Sequence, residues 1–187
     1  MDKYGYSKVY DIDFLSDLPT KDHYSNLIKW IVKLTNCKTY LEVGVENGLC
    51  IHNIRNEVDV CEAVDYEDKM DDKDGIIFNN MTSDEFFSKN KKTYDIIFID
   101  GDHRFPQVLK DFENSLKILN EFGIIIFHDS DPIDNRLTQD FYCSNSYKIV
   151  DHIHLNYPQL NIMTFPIHET GITFVMRRND RRVKKFI

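Results

Sequence analysis

Between Thr39 and Asp129 the chain repeats one pattern: a short, mainly apolar run, then a stretch of helical period. The apolar runs at 39–45, 58–65, 75–81, 94–100 and 124–129 predict five strands. The stretches at 49–57, 83–90 and 105–122 predict the helices between them. In the last of these, Val108, Leu109, Phe112, Leu116 and Leu119 share one side, and Gly123 stands where a C-terminal stop is expected. A strand without polar alternation is buried on both faces, and parallel neighbours need a crossover between them. The pattern therefore predicts a parallel sheet with helices on both faces. A further helix is expected over 20–36, begun at Pro19-Thr20 and carrying Leu27, Ile28, Ile31, Val32 and Leu34. The last third departs from the repeat. "SYKIVDHIHL" reads equally as helix or strand, while 161–167 and 172–178, joined by "HETG", read as an antiparallel hairpin.

A chain of 187 residues suits one domain with its own core, and no internal repeat or linker divides it. We expect a helical or lid segment over 1–36, the α/β core over 37–178 and a basic tail over 179–187. No apolar run nears the ~20 residues of a membrane span, and the polar N-terminus does not read as a secretory signal. Cys37, Cys50, Cys61 and Cys143 form no C-x-x-C pair and have no histidine cluster beside them. Free thiols in a reducing cytoplasm are expected rather than zinc ligands. A net charge of -8 argues against broad nucleic-acid binding. The terminal "RRNDRRVKKFI" reads as a solvated tail, with contact to an anionic partner or substrate phosphate as the alternative.

Chemistry concentrates at the predicted strand ends, where open parallel sheets bind ligands. "LEVGVENG" puts Glu42, Gly44 and Gly48 past the first strand. Its G-x-x-x-G spacing, with an acid two residues ahead, suits a pyrophosphate poorly. A ligand bearing an ammonium and a sulfonium fits better. Asp65 ends the second strand, in place to accept both hydroxyls of a ribose, and Thr82-Ser83 follow the third, in place to meet an adenine edge. Each signal alone has a plain alternative in turn or cap chemistry; in this order they point to a nucleoside. The chain here resembles the class I S-adenosylmethionine-dependent methyltransferases. "EVGVENG" is similar to their first motif, "VDY" to their ribose-binding acid and "MTSDEFF" to their adenine region. The resemblance covers about 38–178. It implies a Rossmann-like seven-stranded sheet with an antiparallel last strand, and S-adenosyl-L-methionine held by Glu42, Gly44, Gly48, Asp65, Tyr66, Thr82, Ser83 and Asp100.

Asp100 ends the fourth predicted strand, and His128-Asp129 end the fifth. Neighbouring strands lie about 4.8 Å apart, so the two carboxylates would share a rim and repel unless a proton or cation joins them. A hard ion such as Mg²⁺ satisfies both and leaves positions for substrate oxygens. His103 would then stand beside the ion, suited to taking a hydroxyl proton. The string "DIIFIDGDHRFPQVLKDFENSLKILNEFGIIIFHD" resembles the compact O-methyltransferases related to macrocin- and mycinamicin-type sugar enzymes. It is more distantly similar to catechol-type enzymes. That resemblance implies Asp100 and Asp129 as metal ligands, His103 as base, and a small hydroxylated acceptor such as a sugar or nucleotide-sugar. The sequence departs from those relatives after Asp129, where Ser130 and Asp131 replace the expected third ligand; Ser130, Asp131 or water could serve. Arg104-Phe105 also replaces the small residue and tyrosine expected there.

Several alternatives stay open at this point. Asp102 reads as a cap of the following helix, or else as a metal ligand. His128 reads as an oriented packing histidine, or else as a base. His103 could be structural, and Asp100 could orient a cofactor without metal. Trp30 is expected in the core. Tyr4, Tyr6, Tyr10 and Tyr24 are candidates for a substrate lid, and His152, His154 and His168 receive no role. A homodimer is compatible with this reading. The rival functions are a metal-dependent phosphohydrolase, suggested by "DGDH" and "HD", and a non-catalytic nucleoside-binding protein. An HD-type phosphohydrolase should be helical, against the alternation seen here.

Overall fold

The structure is a computed structural model that describes residues 23–167 and 169–178. The N-terminal tyrosines Tyr4, Tyr6 and Tyr10, the Pro19-Thr20 helix start, His168 and the tail over 179–187 lie outside the described residues. In chain order come α1 (His23–Thr35), β1 (Thr39–Val43), α2 (Leu49–Ile54), β2 (Val60–Asp65), β3 (Ile77–Asn80), α3 (Ser83–Lys89) and β4 (Tyr94–Ile99). They are followed by α4 (Phe105–Ile118), β5 (Leu119–His128), a 3-10 turn at Asn135–Thr138, α5 (Lys148–Asn156), β6 (Leu160–Phe165) and β7 (Ile172–Arg177). One seven-stranded sheet has the order β3-β2-β1-β4-β5-β7-β6. β1 to β5 pair in parallel, and β7 runs antiparallel to both β5 and β6. The predicted fold class is thus observed, with helices on both faces of a mostly parallel sheet.

The apolar runs serve two cores at once. Along β4, Ile96 and Phe98 pack in the layer beneath α1 and α2, with Ile28, Tyr40, Ile51 and Phe174. Their neighbours Ile97 and Ile99 pack in the opposite layer with Leu41, Phe112, Ile125 and Ile149, against α4 and α5. Side chains alternate across a strand, so a strand buried on both faces must be apolar at every position. Among the described residues no helix is long and apolar enough to cross a membrane.

Two sequence expectations need correction, and one open reading is resolved. Trp30 is 60% exposed and Leu34 69% exposed, while Ile28 and Val32 fill the core. At 100° per residue a position two away from the buried stripe points the opposite way. The helix at 105–122 ends at Ile118, and Gly123 lies inside β5 rather than at a helix stop. The cap comes from elsewhere: the Arg177 guanidinium donates to the carbonyls of Leu116 (2.7 Å), Leu119 (2.9 Å) and Asn120 (2.8 Å). Gly123 is needed for space, since a Cβ there would lie 2.7 Å from Leu119 Cδ1 and 2.9 Å from the Asp95 carbonyl. Finally, "SYKIVDHIHL" resolves as a helical segment centred on α5, which buries Ile149 and Ile153 one turn apart.

The sheet order reverses between β1 and β4, which leave in opposite directions towards their connections. A crevice opens beyond their carboxyl ends, the usual ligand position in such sheets.

Candidate active site

Two loops form the floor of this crevice. Gly44 follows β1 with φ +84, and a Cβ there would lie 2.3 Å from both the Asp100 carbonyl oxygen and Gly101 Cα. The glycine is therefore demanded by the neighbouring β4 loop, which packs directly on it, and not only by close approach of a ligand. Gly48 precedes α2, with His52 and Met70 beside it. It does not line the crevice, in contrast to the sequence expectation. Asp65 accepts amide hydrogens from Val45 (2.8 Å), Glu46 (2.9 Å) and Glu67 (2.9 Å), tying the glycine loop to the end of β2. A carboxylate has about four acceptor sites, so room remains for one further donor.

The cavity above has a volume of about 970 Å³, within the range of small-molecule sites. Glu42, Gly44, Asp65, Tyr66, Thr82, Ser83, Asp100, His103 and Asp129 all line it. Tyr66 is exposed at its mouth. Thr82 caps α3, its hydroxyl accepting from the Glu85 amide at 3.2 Å. Glu42 lies at the bottom, 2% exposed, with the Tyr40 hydroxyl donating to it at 2.6 Å. Burial pushes its carboxyl up to about 8; the Tyr40 hydrogen bond works against this, and the charge of Asp100 adds to it.

Asp100 and Asp129 meet at the rim, with two imidazoles between them. His103 Nδ1 is 3.3 Å from Asp129 and its Nε2 is 3.5 Å from Asp100. His128 Nδ1 is 3.2 Å from Asp100 and 3.1 Å from Asp129. Burial alone would raise the Asp100 carboxyl, but His128 and His103 hold it down at about 2. Burial disfavours charge on both rings, yet the facing carboxylates raise each to about 9. The quartet thus sets two acids against two rings whose protonated forms they favour.

Local structure fixes this quartet. Asp129 takes φ +54, a left-handed conformation that costs about 1–3 kcal/mol and clusters at functional sites. Its carbonyl accepts from the buried Ser146 hydroxyl at 2.6 Å. The Tyr142 carbonyl holds His103 Nδ1 at 2.5 Å, and the Tyr24 ring stacks on His128 with centroids 4.4 Å apart. Ligand atoms of Asp100, His103 and Asp129 all lie within 4.8 Å of one another. A divalent ion with ligands at 2.0–2.1 Å spans about 4 Å, so a slight closure would seat one. The Ser130 hydroxyl is paired with Thr173 at 2.7 Å and is not part of the cluster. Asp131 lies against Gly171 and is not part of the cluster. The third group of the cluster is instead His103. Asp102 is not part of it either. Its carboxylate accepts from the Arg104 amide (2.9 Å) and guanidinium, at the entrance to α4.

Several groups escaped the sequence reading. Asn145 caps α4 by accepting from the Phe105 amide at 2.5 Å, a long-range contact with no local signal. Asp111 is 1% exposed and lines the cavity. A signal for it existed: it sits three residues after Val108 on the buried stripe of α4, where an unexplained acid is informative.

Comparison with known proteins agrees with this geometry. Residues 41–130 match the family described as a methyltransferase domain. No curated protein matches the sequence. Among solved structures, the chain is similar to an O-methyltransferase from Bacillus cereus in complex with S-adenosylhomocysteine (14% identity, TM-score 0.67, 92% of this chain and 90% of that one). It is also similar to the S-adenosylhomocysteine-bound methyltransferase PaMTH1 of Podospora anserina (13%, TM-score 0.69, 93% and 85%). A third is the O-methyltransferase TomG of Streptomyces achromogenes in complex with S-adenosylmethionine (12%, TM-score 0.67, 96% and 92%). Residues 41–130 thus match a methyltransferase domain, and the chain shares its fold with these methyltransferases.

Proposed function

We propose that this protein is an S-adenosylmethionine-dependent O-methyltransferase that methylates a hydroxyl of a small acceptor, a sugar or nucleotide-sugar, with help from a divalent cation. The observation that carries the reading is the convergence of Asp100, His103 and Asp129 on the rim of a cavity whose other end is lined by Glu42, Asp65 and Ser83. The sugar acceptor rests on the resemblance of the "DGDH" to "IIIFHD" string to the sugar enzymes.

The buried Glu42 offers an acceptor oxygen, and once ionised a negative charge, to an ammonium, and the free acceptor capacity of Asp65 suits a ribose hydroxyl. Bound S-adenosylmethionine supplies an electrophilic methyl on a sulfonium. Asp100 and Asp129 would hold Mg²⁺ or another divalent ion, which lowers the pKa of a coordinated hydroxyl. An imidazole in the set favours borderline ions such as Mn²⁺ as a ligand. It also suits His103 to the role of base, and the two roles are alternatives. The carboxylates are what keep His103 protonated, so once their charge is compensated its ring becomes competent to accept the hydroxyl proton at neutral pH. His128 bridges both carboxylates from beneath and orients them.

The test has two parts. Thermal unfolding is followed with S-adenosylhomocysteine, with and without Mg²⁺ or Mn²⁺, for the wild type and Asp129→Ala. Ligand that binds the native state must raise stability, so absence of any shift at large excess refutes the cofactor. A shift indifferent to the cation and to Asp129→Ala refutes the metal alone. Methyl transfer over a panel of sugars and nucleotide-sugars, lost in His103→Ala, separates an enzyme from a binding protein.

A further inference from the structure

The connection from β5 to α5 contains a short segment, residues 142–146, whose bonds converge on His103 and Asp129 from one side. The Tyr142 carbonyl lies 2.5 Å from His103 Nδ1. The buried Cys143 thiol donates to the Asp129 carboxylate. Asn145 Oδ1 accepts from the Phe105 amide at 2.5 Å, two residues past His103. The Ser146 hydroxyl lies 2.6 Å from the Asp129 carbonyl and 2.7 Å from the Cys143 carbonyl. A carbonyl can only accept, so His103 Nδ1 carries a hydrogen. In the neutral ring Nε2, which faces Asp100 at 3.5 Å, is then the nitrogen left for a cation or an acceptor proton.

The two partners need such support. Asp129 has φ +54, a left-handed conformation that its β-carbon disfavours. His103 sits in the loop between β4 and α4, outside any regular element. Ser146 is 3% exposed and stands just before α5, whose Ile149 and Ile153 are fully buried. Its one hydroxyl hydrogen is shared between the Asp129 turn and the turn at Cys143, so both are tied to the helix at a single point. Asn145 ties the same segment to the start of α4, and so to the loop that carries His103. Support thus runs from the core through α5 to both sides of the rim. A small divalent cation tolerates little error in the separation of its ligands.

We propose that Ser146, together with Asn145, is a positioning residue of this site. The two clasp the Asp129 turn and the His103 loop at the separation that seats a divalent cation. The assignment rests on the metal reading above and extends it to residues that touch neither cation nor substrate.

The experiment titrates Mn²⁺ into the full chain, with free Mn²⁺ followed by electron paramagnetic resonance, and S-adenosylhomocysteine by calorimetry. Removing a group that orients metal ligands typically weakens binding ten- to a hundredfold. Ser146→Ala is expected to weaken Mn²⁺ binding by at least about tenfold. Residues 142–146 are not in the cavity wall, so S-adenosylhomocysteine binding should change by less than about threefold. Arg177→Ala, which weakens the fold at the other end of β5, is the control for general destabilisation. It should leave Mn²⁺ affinity within about threefold of the wild type. Unchanged Mn²⁺ affinity in Ser146→Ala, folded by circular dichroism, overturns the proposal. So does an equal loss for both ligands, or an equal loss in Arg177→Ala. If Ser146→Ala does not fold, Asn145→Ala carries the same test, with a loss of at least about threefold expected and no loss refuting the clasp. A wild type that binds S-adenosylhomocysteine but no Mn²⁺ overturns the metal reading and this assignment together, and leaves the cofactor reading standing.

Discussion

The buried carboxyl of Glu42 makes folding stability depend on pH in a way one substitution can isolate. Glu42 is 2% exposed, and its carboxyl is raised from 4.5 to about 8. The folded state therefore holds a proton that the unfolded state has released between those two values. Stability must fall as pH rises through that window and level off above about 8. Each pH unit inside the window is worth about 1.4 kcal/mol, so the step from pH 6 to pH 8 amounts to roughly 2–3 kcal/mol. Glu42→Gln removes the ionisation while leaving an oxygen for the Tyr40 hydroxyl. Urea unfolding of both proteins at half-unit intervals from pH 5.5 to 9 measures the effect. The wild type should lose stability relative to the variant by the stated amount. The His103 and His128 rings also lose protons towards pH 9, but they do so in both proteins and cancel in the difference. Parallel curves for the two proteins would refute the argument that burial protonates Glu42.

The same group couples to ligand affinity: a protonated Glu42 cannot hold an ammonium, so S-adenosylhomocysteine should bind the wild type more tightly at pH 8 than at pH 6, by at most about tenfold per unit. Calorimetric titration should show this dependence weakened in Glu42→Gln. Arg177→Ala strips three carbonyls at the α4–β5 junction of their donor and should cost about 2–4 kcal/mol in denaturant unfolding; a loss under about 0.5 kcal/mol would mean water replaces the cap. Gly44→Ala forces a methyl into the Asp100–Gly101 backbone at positive φ and should destabilise by at least about 2 kcal/mol. Its signature is a lowered melting temperature of the ligand-free protein, not merely weaker ligand binding.

Much of the architecture was readable because its cause is local. A strand covered on both faces must be apolar at each position, so "YDIIFID" and "GIIIFHD" announced interior parallel strands. Residues at the carboxyl ends of such strands fall on one rim, which placed Glu42, Asp65, Asp100 and Asp129 together before any coordinates. The helical stripe of α4 was equally plain, though the acid at 111 that interrupts it went unread.

Contacts made across the fold had no such trace. Gly123 resembles a helix stop in sequence, yet Arg177, over fifty residues away, caps the helix and the glycine makes room for Leu119. Trp30 has the composition of a core residue, but the phase of α1 turns it outward. The Asp100–Asp129 pair followed from strand adjacency. Its partners depended on tertiary placement: the turn at Asp129, the Tyr142 carbonyl and the Tyr24 ring bring His103 and His128 between the carboxylates. Periodicity reports which face of an element is buried, and strand order then sets which ends are near. Which side chains meet in that space depends on backbone turns and distant hydrogen bonds, and those are decided only when the whole chain is packed.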